Sequence, residues 1–236
     1  VALLQGIAVL VRSLCQSNKA ASALVKVGIT GAIMPLISRP SKRISGAACK
    51  CIAAISLSTA GRNAFIADPS IMKSVVHVLQ TSVGGGSFQG AAESLAMLCT
   101  TTEAAQVAVD GGVMPTLLKA LAVPGDISTA AAAALSRLAV LPAVIDQILK
   151  SPMGGSPFVS LLTDKDPGVA ARGCAIMEYF SASTAGVQFV IDAGCIDPLV
   201  SLTQSIDVAL RVKAIQSIAS LACFSNARAA FFNSHV

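Results

Sequence analysis

Apolar stretches along this chain end on a large residue at a near-constant interval. The closing residues are Leu14, Ile55, Leu98, Leu138, Tyr179 and Leu221, spaced by 41, 43, 40, 41 and 42 residues. Ahead of each, small and apolar residues recur three or four apart, as in Ala131-Ala132-Ala133-Ala134-Leu135-Ser136-Arg137-Leu138. That spacing gathers side chains on one side of a helix. A unit of this length cannot enclose its own apolar face, so neighbours must stack and share a continuous core. The pattern predicts an all-α solenoid.

Glycine, proline and short polar runs divide each unit into a short helix, a second helix and a longer third one. Over 184–221, Thr184 to Ala193 reads as the short helix, ended by Gly194. The second helix begins at Ile196-Asp197-Pro198-Leu199, with Pro198 in the first turn, where its missing N–H is not needed. Ser205-Ile206-Asp207 turns the chain with Asp207 as cap, and Val208 to Cys223 forms the third helix. Gly31-Ala32-Ile33-Met34-Pro35-Leu36 and Gly111-Gly112-Val113-Met114-Pro115-Thr116 match Gly194-Cys195-Ile196-Asp197-Pro198-Leu199 position by position. Asp164-Lys165-Asp166-Pro167 predicts a turn and cap ahead of a helix from about Gly168, and Gly84-Gly85-Gly86-Ser87 is the loosest connection.

A small-residue turn, an Ile/Val-x-Pro-Leu helix start, an Asp/Pro turn and an Ala-rich third helix in every repeat resemble armadillo repeats, over essentially the whole chain. HEAT repeats have a similar period but usually lack the separate short first helix and this glycine. The resemblance implies a right-handed superhelical armadillo-repeat solenoid of about five to six three-helix repeats. It would form a single domain over 1–236: a partial first repeat at 1–17, repeats near 18–58, 59–101, 102–141, 142–183 and 184–224, and a C-terminal stub at 225–236. In the family the third helices line a concave groove that binds extended peptides or partner proteins.

Nuclear import adaptors of this family carry a Trp and an Asn on successive third helices. Aligned on the closing residues, the Trp rung falls on Val9, Lys50, Glu93, Ala133, Cys174 and Gln216, and the Asn rung on Ser13, Ala54, Met97, Arg137, Glu178 and Ser220. No rung keeps either residue and the chain has no Trp, so the stacking of aromatic rings on lysine stems is absent. Lys50, Glu93, Arg137, Glu178 and Gln216 are instead bulky polar groups in Ala/Leu-rich helices. They read either as a mixed-charge, partner-binding groove or as the solvated stripe of amphipathic helices. Arg172, Arg211 and Lys213 sit a turn earlier, nearer the rim, and join the candidate groove. Arg39, Lys42 and Arg43, with Lys50 one to two turns on, form a basic patch.

Charge and cysteine content sharpen this picture. The net charge is +5, but residues 1–75 hold nine Lys/Arg against Asp68 alone, whereas 76–236 hold eight basic against eleven acidic residues. A basic end suits anionic lipid or an acidic partner. Seven scattered cysteines, none in a Cys-x-x-Cys pair, read as small buried hydrophobes in a reducing cytosolic compartment. With 54% hydrophobic and 12% charged residues, disorder is excluded, and the most apolar stretch, Ala130 to Leu149, is interrupted by Arg137, Pro142 and Asp146. The chain opens at Val1 inside a repeat, with no initiator Met or signal-peptide pattern. This predicts a trimmed chain whose upstream targeting or lipidation signal is missing.

The residues of known chemistry are not arranged for it. His77 and His235 have no Asp or Cys at ligand or triad spacing, and Gly84-Gly85-Gly86 lacks the Lys and Ser/Thr of a phosphate-cradling loop. Asp164 and Asp166 are explained by capping, and Tyr179 with eight phenylalanines is too sparse a set for a nucleic-acid stacking platform. The expectation is a non-enzymatic scaffold or adaptor, with no cofactor, metal or small-molecule substrate, and with protein or extended-peptide partners. Within that class the chain resembles the armadillo-repeats-only proteins of apicomplexan parasites, which are N-terminally acylated and position rhoptries through a myosin and other partners. That resemblance implies a lipidated leader, peripheral contact with the cytosolic face of an organelle, and a myosin partner. The alternatives are a nuclear-transport-type or nucleic-acid-associated armadillo protein, or a fragment of a larger junctional, axonemal or ubiquitin-ligase component. The missing ladders count against transport, and the acidic later repeats against nucleic acid.

Overall fold

The computed structural model describes residues 2–15, 17–123 and 125–234; His235 lies outside them. All regular structure in the described residues is helical. The helices are α1 (Ala2–Leu14), α2 (Asn18–Lys26), α3 (Ile29–Ile37), α4 (Lys42–Ile55), α5 (Thr59–Ile66), α6 (Pro69–Thr81), α7 (Gly86–Leu98), α8 (Thr102–Asp110), α9 (Met114–Leu121), α10 (Asp126–Leu138), α11 (Pro142–Leu149), α12 (Ser156–Leu162), α13 (Pro167–Phe180), α14 (Thr184–Asp192), α15 (Ile196–Leu202), α16 (Val208–Leu221) and α17 (Ser225–Phe232). After α1 the helices recur in threes through α16, two short and one long except in the second repeat, where α6 matches α7 at 13 residues. The chain divides into two compact units, Val1–Leu138 and Ala139–Val236.

In the first unit α4 packs against α1 and α7, and α7 against α10, so the third helices form a layer of their own. The first and second helices pair outside it, α2 with α5 and α3 with α6. In the second unit α13 packs on α16, α11 on α14 and α12 on α15. The first unit is centred on Ile52, Ile55, Phe65, Ile71, Leu79, Phe88, Leu95 and Leu98, all essentially sealed from solvent. The second is organised around aromatic rings. Phe158 meets Phe180 and Phe189 edge-on at 5.6 and 5.8 Å, and Phe180 stacks on Phe189 at 5.0 Å. Both arrangements are favoured by the ring quadrupole.

Caps fix where the helices start. Ser58, Thr101 and Ser183 accept from Gly61, Ala104 and Gly186 N–H at 3.0, 3.3 and 3.1 Å. Asp166 and Asp207 accept from Gly168 and Leu210 N–H, each at 2.8 Å, satisfying amides that the first turn leaves free. The caps also fix the register. The first helices take as N-caps Ser17, Ser58, Thr101, Leu141, Ser183 and Phe224. Counting three residues back gives Leu14, Ile55, Leu98, Leu138, Phe180 and Leu221. The fifth closing residue is therefore Phe180, fully buried, not the half-buried Tyr179 expected from the periodicity.

A second departure concerns the turn between first and second helices. Gly28, Gly112 and Gly194 occupy it with φ of 87, 78 and 73°, a conformation that costs other residues a steric penalty. In the first complete repeat it is thus Gly28, not Gly31, that turns the chain, and Gly31 lies inside α3. The helices on either side meet at 78° for α2–α3 and 84° for α14–α15. Among the described residues no single helix is long and apolar enough to cross a membrane.

Candidate functional site

The third helices α4, α7 and α10 have little surface to offer, because each is packed on several sides, whereas α16 also exposes Val212, Ile215 and Ala219. In α4, every residue from Ser45 to Ile55 is buried except Lys50, which is half-buried. In α7 only Gln89, Glu93 and Met97 emerge past the first turn, at a strict four-residue spacing that lines one side of the helix. In α10 Ala133, Ser136 and Arg137 emerge, with Arg137 exposed. Lys50, Glu93 and Ala133 stand five residues before their closing residues; Met97 and Arg137 stand one before. The first unit thus presents a short stripe with Lys50, Glu93 and Arg137 as its charges. Glu93 Oε1 accepts from Gln89 Nε2 at 3.1 Å, so Gln89 steadies the carboxylate within its own helix.

The second unit is arranged differently. With Phe180 as the closing residue, the positions five and one before it are Ala175 and Tyr179, not Cys174 and Glu178. One residue is about 100° around a helix, and the consequences are visible. Cys174 is fully buried, and Glu178 is half-buried, with its Oε1 enclosed and without a hydrogen-bond partner. Tyr179 takes the surface position on α13, and Gln216 and Ser220 take the matching ones on α16. Arg172 and Lys213 emerge one turn earlier, both eight residues before the closing residue. Lys213 Nζ donates to Gln216 Oε1 at 2.9 Å. Arg211 is drawn off the stripe, its Nη1 donating to the Ser205 and Ile206 carbonyls at 2.7 and 3.3 Å and tying the turn before α16.

Arg39, Lys42 and Arg43 lie exposed at the α3–α4 turn and the start of α4. The Lys42 carbonyl is engaged by the Ser45 hydroxyl at 3.2 Å and by that of Ser87 on α7, which anchors the backbone of the patch while its side chains stay in solvent.

Among the described residues no three His, Cys, Asp or Glu side chains converge as a metal site. Burial pushes the thiols of Cys49, Cys99, Cys174 and Cys195 up to about 12, with Glu178 adding to the effect at Cys174 and Lys213 opposing it. Thiols held there stay protonated and unreactive at neutral pH. The depression between α12 and α15, lined by Asp164, Asp197, Pro198 and Ser205 among others, is about 520 Å³ but wide open to solvent.

No family model matches the chain, and no curated protein is significantly similar to it. Solved structures do match. A designed armadillo repeat protein superposes with a TM-score of 0.76 at 19% identity, covering 92% of both chains. The chain has an armadillo-like repeat fold. A second designed armadillo repeat protein, solved in complex with the peptide (KR)4, gives a TM-score of 0.72 at 18% identity over 89% of this chain and 91% of its own. An engineered protein reaches 0.78 at 20% identity over 93% and 92%. In this armadillo-like frame the polar residues singled out above all belong to third helices or to the turns leading into them.

Proposed function

We propose that this chain is a non-catalytic scaffold that holds extended peptide segments of partner proteins along the exposed stripes of its third helices. The observation that carries this is the placement of Lys50, Glu93, Arg137, Arg172, Lys213 and Gln216: long polar side chains that emerge from successive third helices one, five or eight residues before the closing residue. Such a surface offers charge and hydrogen-bonding groups at intervals set by helix packing, about 8–10 Å between neighbouring axes. An extended chain needs that kind of periodic contact. The similar fold of a designed protein that binds (KR)4 supports the reading.

The deciding experiment is panning of a random peptide library displayed on phage against the protein, followed by affinity measurement on a Lys50→Glu/Arg137→Glu variant with unchanged thermal unfolding. Enrichment of linear peptides that the variant binds at least about tenfold more weakly, the scale of one lost charge-assisted contact, supports the proposal. Absence of enrichment contradicts it.

A narrower version follows from the resemblance to organelle-positioning armadillo proteins and from the basic character of residues 1–75. It is a cytosolic scaffold on an organelle surface, with Arg39, Lys42 and Arg43 facing anionic lipid and a myosin among its partners. Sedimentation with phosphatidylserine vesicles tests the lipid contact. Binding abolished by Arg39→Glu/Arg43→Glu supports it; equal sedimentation with neutral vesicles contradicts it.

A further inference from the structure

The second unit does not repeat the charge pattern of the first. At the position eight residues before the closing residue, the first unit has Ala47 and Gly90, both buried. The second unit has Arg172 and Lys213 there, both half-exposed and on directly packed helices. Alongside them lie Tyr179, Gln216 and Ser220, none of which carries negative charge. The exposed carboxylates of the neighbourhood hold backbone N–H groups: Asp166 and Asp207 cap α13 and α16, and Asp164 accepts from the Asp166 N–H at 2.8 Å. Glu178 is half-buried, with one carboxylate oxygen sealed from solvent. Arg172 and Lys213 hold the same register position on adjacent, packed helices, so the two cations come onto one strip.

We propose that this strip binds an extended acidic peptide, with Arg172 and Lys213 taking two carboxylates that lie two residues apart. The inference rests on the peptide-binding reading above and adds the sign of the ligand. Residues i and i+2 of an extended chain point to the same side about 6–7 Å apart, a separation that long side chains from helix axes about 8–10 Å apart can converge on. Arg172 supplies the planar fork that suits a carboxylate, and Lys213 a point charge. The Lys213–Gln216 bond uses the Gln216 carbonyl oxygen and leaves its amide N–H groups to donate to a peptide backbone. The ligand is thus opposite in charge to the (KR)4 peptide bound by the designed protein of similar fold.

The test is fluorescence polarisation with three labelled peptides of equal length, alternating Ser-Glu, Ser-Gln and Ser-Lys, on the full chain and on Arg172→Ala, Lys213→Ala and Lys119→Ala variants, Lys119 being an exposed cation on the second helix α9. The proposal expects the Glu peptide to bind at least about tenfold more tightly than the other two. It also expects Arg172→Ala and Lys213→Ala each to remove most of that preference, while Lys119→Ala leaves it in place. Tight binding of the Lys or Gln peptide, or a Glu preference that survives the Arg172→Ala/Lys213→Ala double variant, overturns the inference while sparing the scaffold reading. Equal competition by a single-stranded oligonucleotide also overturns it, since a general polyanion site would then be at work. If none of the peptides binds and the phage panning also fails, both readings fall together.

Discussion

The α4–α7 pair in the first unit and the α13–α16 pair in the second solve one problem with different residues. Both use the same cross-helix bond. Ser94 Oγ donates to the Cys49 carbonyl at 2.6 Å, and Ser217 Oγ donates to the Cys174 carbonyl at 2.8 Å. Around that bond they diverge. α4 and α7 meet through glycine: a Cβ on Gly46 would lie 2.6 Å from Ser87 Cα, and one on Gly90 would lie 2.6 Å from the Gly46 carbonyl oxygen. Backbones this close leave no room for a side chain at Gly46 or Gly90, where the Lys50 stem lies across Gly90, and past the first turn the charges of the pair are Lys50 and Glu93. α13 and α16 spread the contact over larger groups, and Arg172 and Lys213 emerge where the first unit has Ala47 and Gly90. Packing chemistry thus decides where along a third helix charge can be offered to a partner.

The sharpest way to break this comparison is at Phe180. Its aromatic cluster has no counterpart at Ile55, so Phe180→Ala is expected to cost about 3–5 kcal/mol, the usual penalty for emptying a large aromatic site. Tyr179→Ala, on the surface side, should cost less than about 1 kcal/mol. Urea unfolding of both variants checks this, and a reversed order would restore Tyr179 as the buried closing residue.

A smaller effect separates two glycines, one in each unit. Gly90→Ala, against α4, forces a methyl onto backbone and should destabilise by about 1–3 kcal/mol. Gly173→Ala, on the side of α13 that faces α12, meets Leu162 Cδ2 at 3.1 Å, the end of a side chain that can move, and should lose less than half as much. Equal melting temperatures for the two variants would remove the distinction between a backbone contact at Gly90 and a side-chain contact at Gly173.

The smallest effect is shared by both units and depends on pH. Thiols at Cys49, Cys99, Cys174 and Cys195 ionise near 9.0 when unfolded and at about 12 when buried. The contribution is therefore intact below pH 9 and is lost progressively as pH rises from 9 toward 12, because only the unfolded chain releases these protons. Melting temperature should hold steady up to pH 8 and fall above 9, and Cys174→Ala should make the fall shallower. In the same range only the exposed Cys223 should alkylate rapidly in the native protein; fast labelling of several cysteines would contradict the burial.

Much of this is legible in the sequence. The period, the Asp166 and Asp207 caps and the start of α15 at Ile196 follow from turn and capping chemistry that acts within a few residues. The register of the fifth repeat did not follow, because Tyr179 and Phe180 are adjacent, aromatic and equally able to end an apolar stretch. The signal that separates them is Ser183, the cap three residues after Phe180, which matches Ser58 after Ile55. Counted from Tyr179, the groove position falls on Glu178; counted from Phe180, it falls on Tyr179, and both side chains are half-buried. The glycine contact between α4 and α7 was equally hidden, since Gly46 and Gly90 meet only when two distant segments pack. Arg211 went the same way: nothing local foretold that its guanidinium would be spent on the Ser205 and Ile206 carbonyls.

The central claim is that partners lie along the third helices, and photocrosslinking tests it most directly. A peptide recovered by panning, carrying a diazirine side chain, is irradiated on the protein and the adducts are mapped by mass spectrometry. The account predicts adducts on α4, α7, α10, α13 and α16, at surface positions such as Lys50, Met97, Arg137, Tyr179 and Ser220. Adducts concentrated on the first helices α5, α8 and α14 would contradict it.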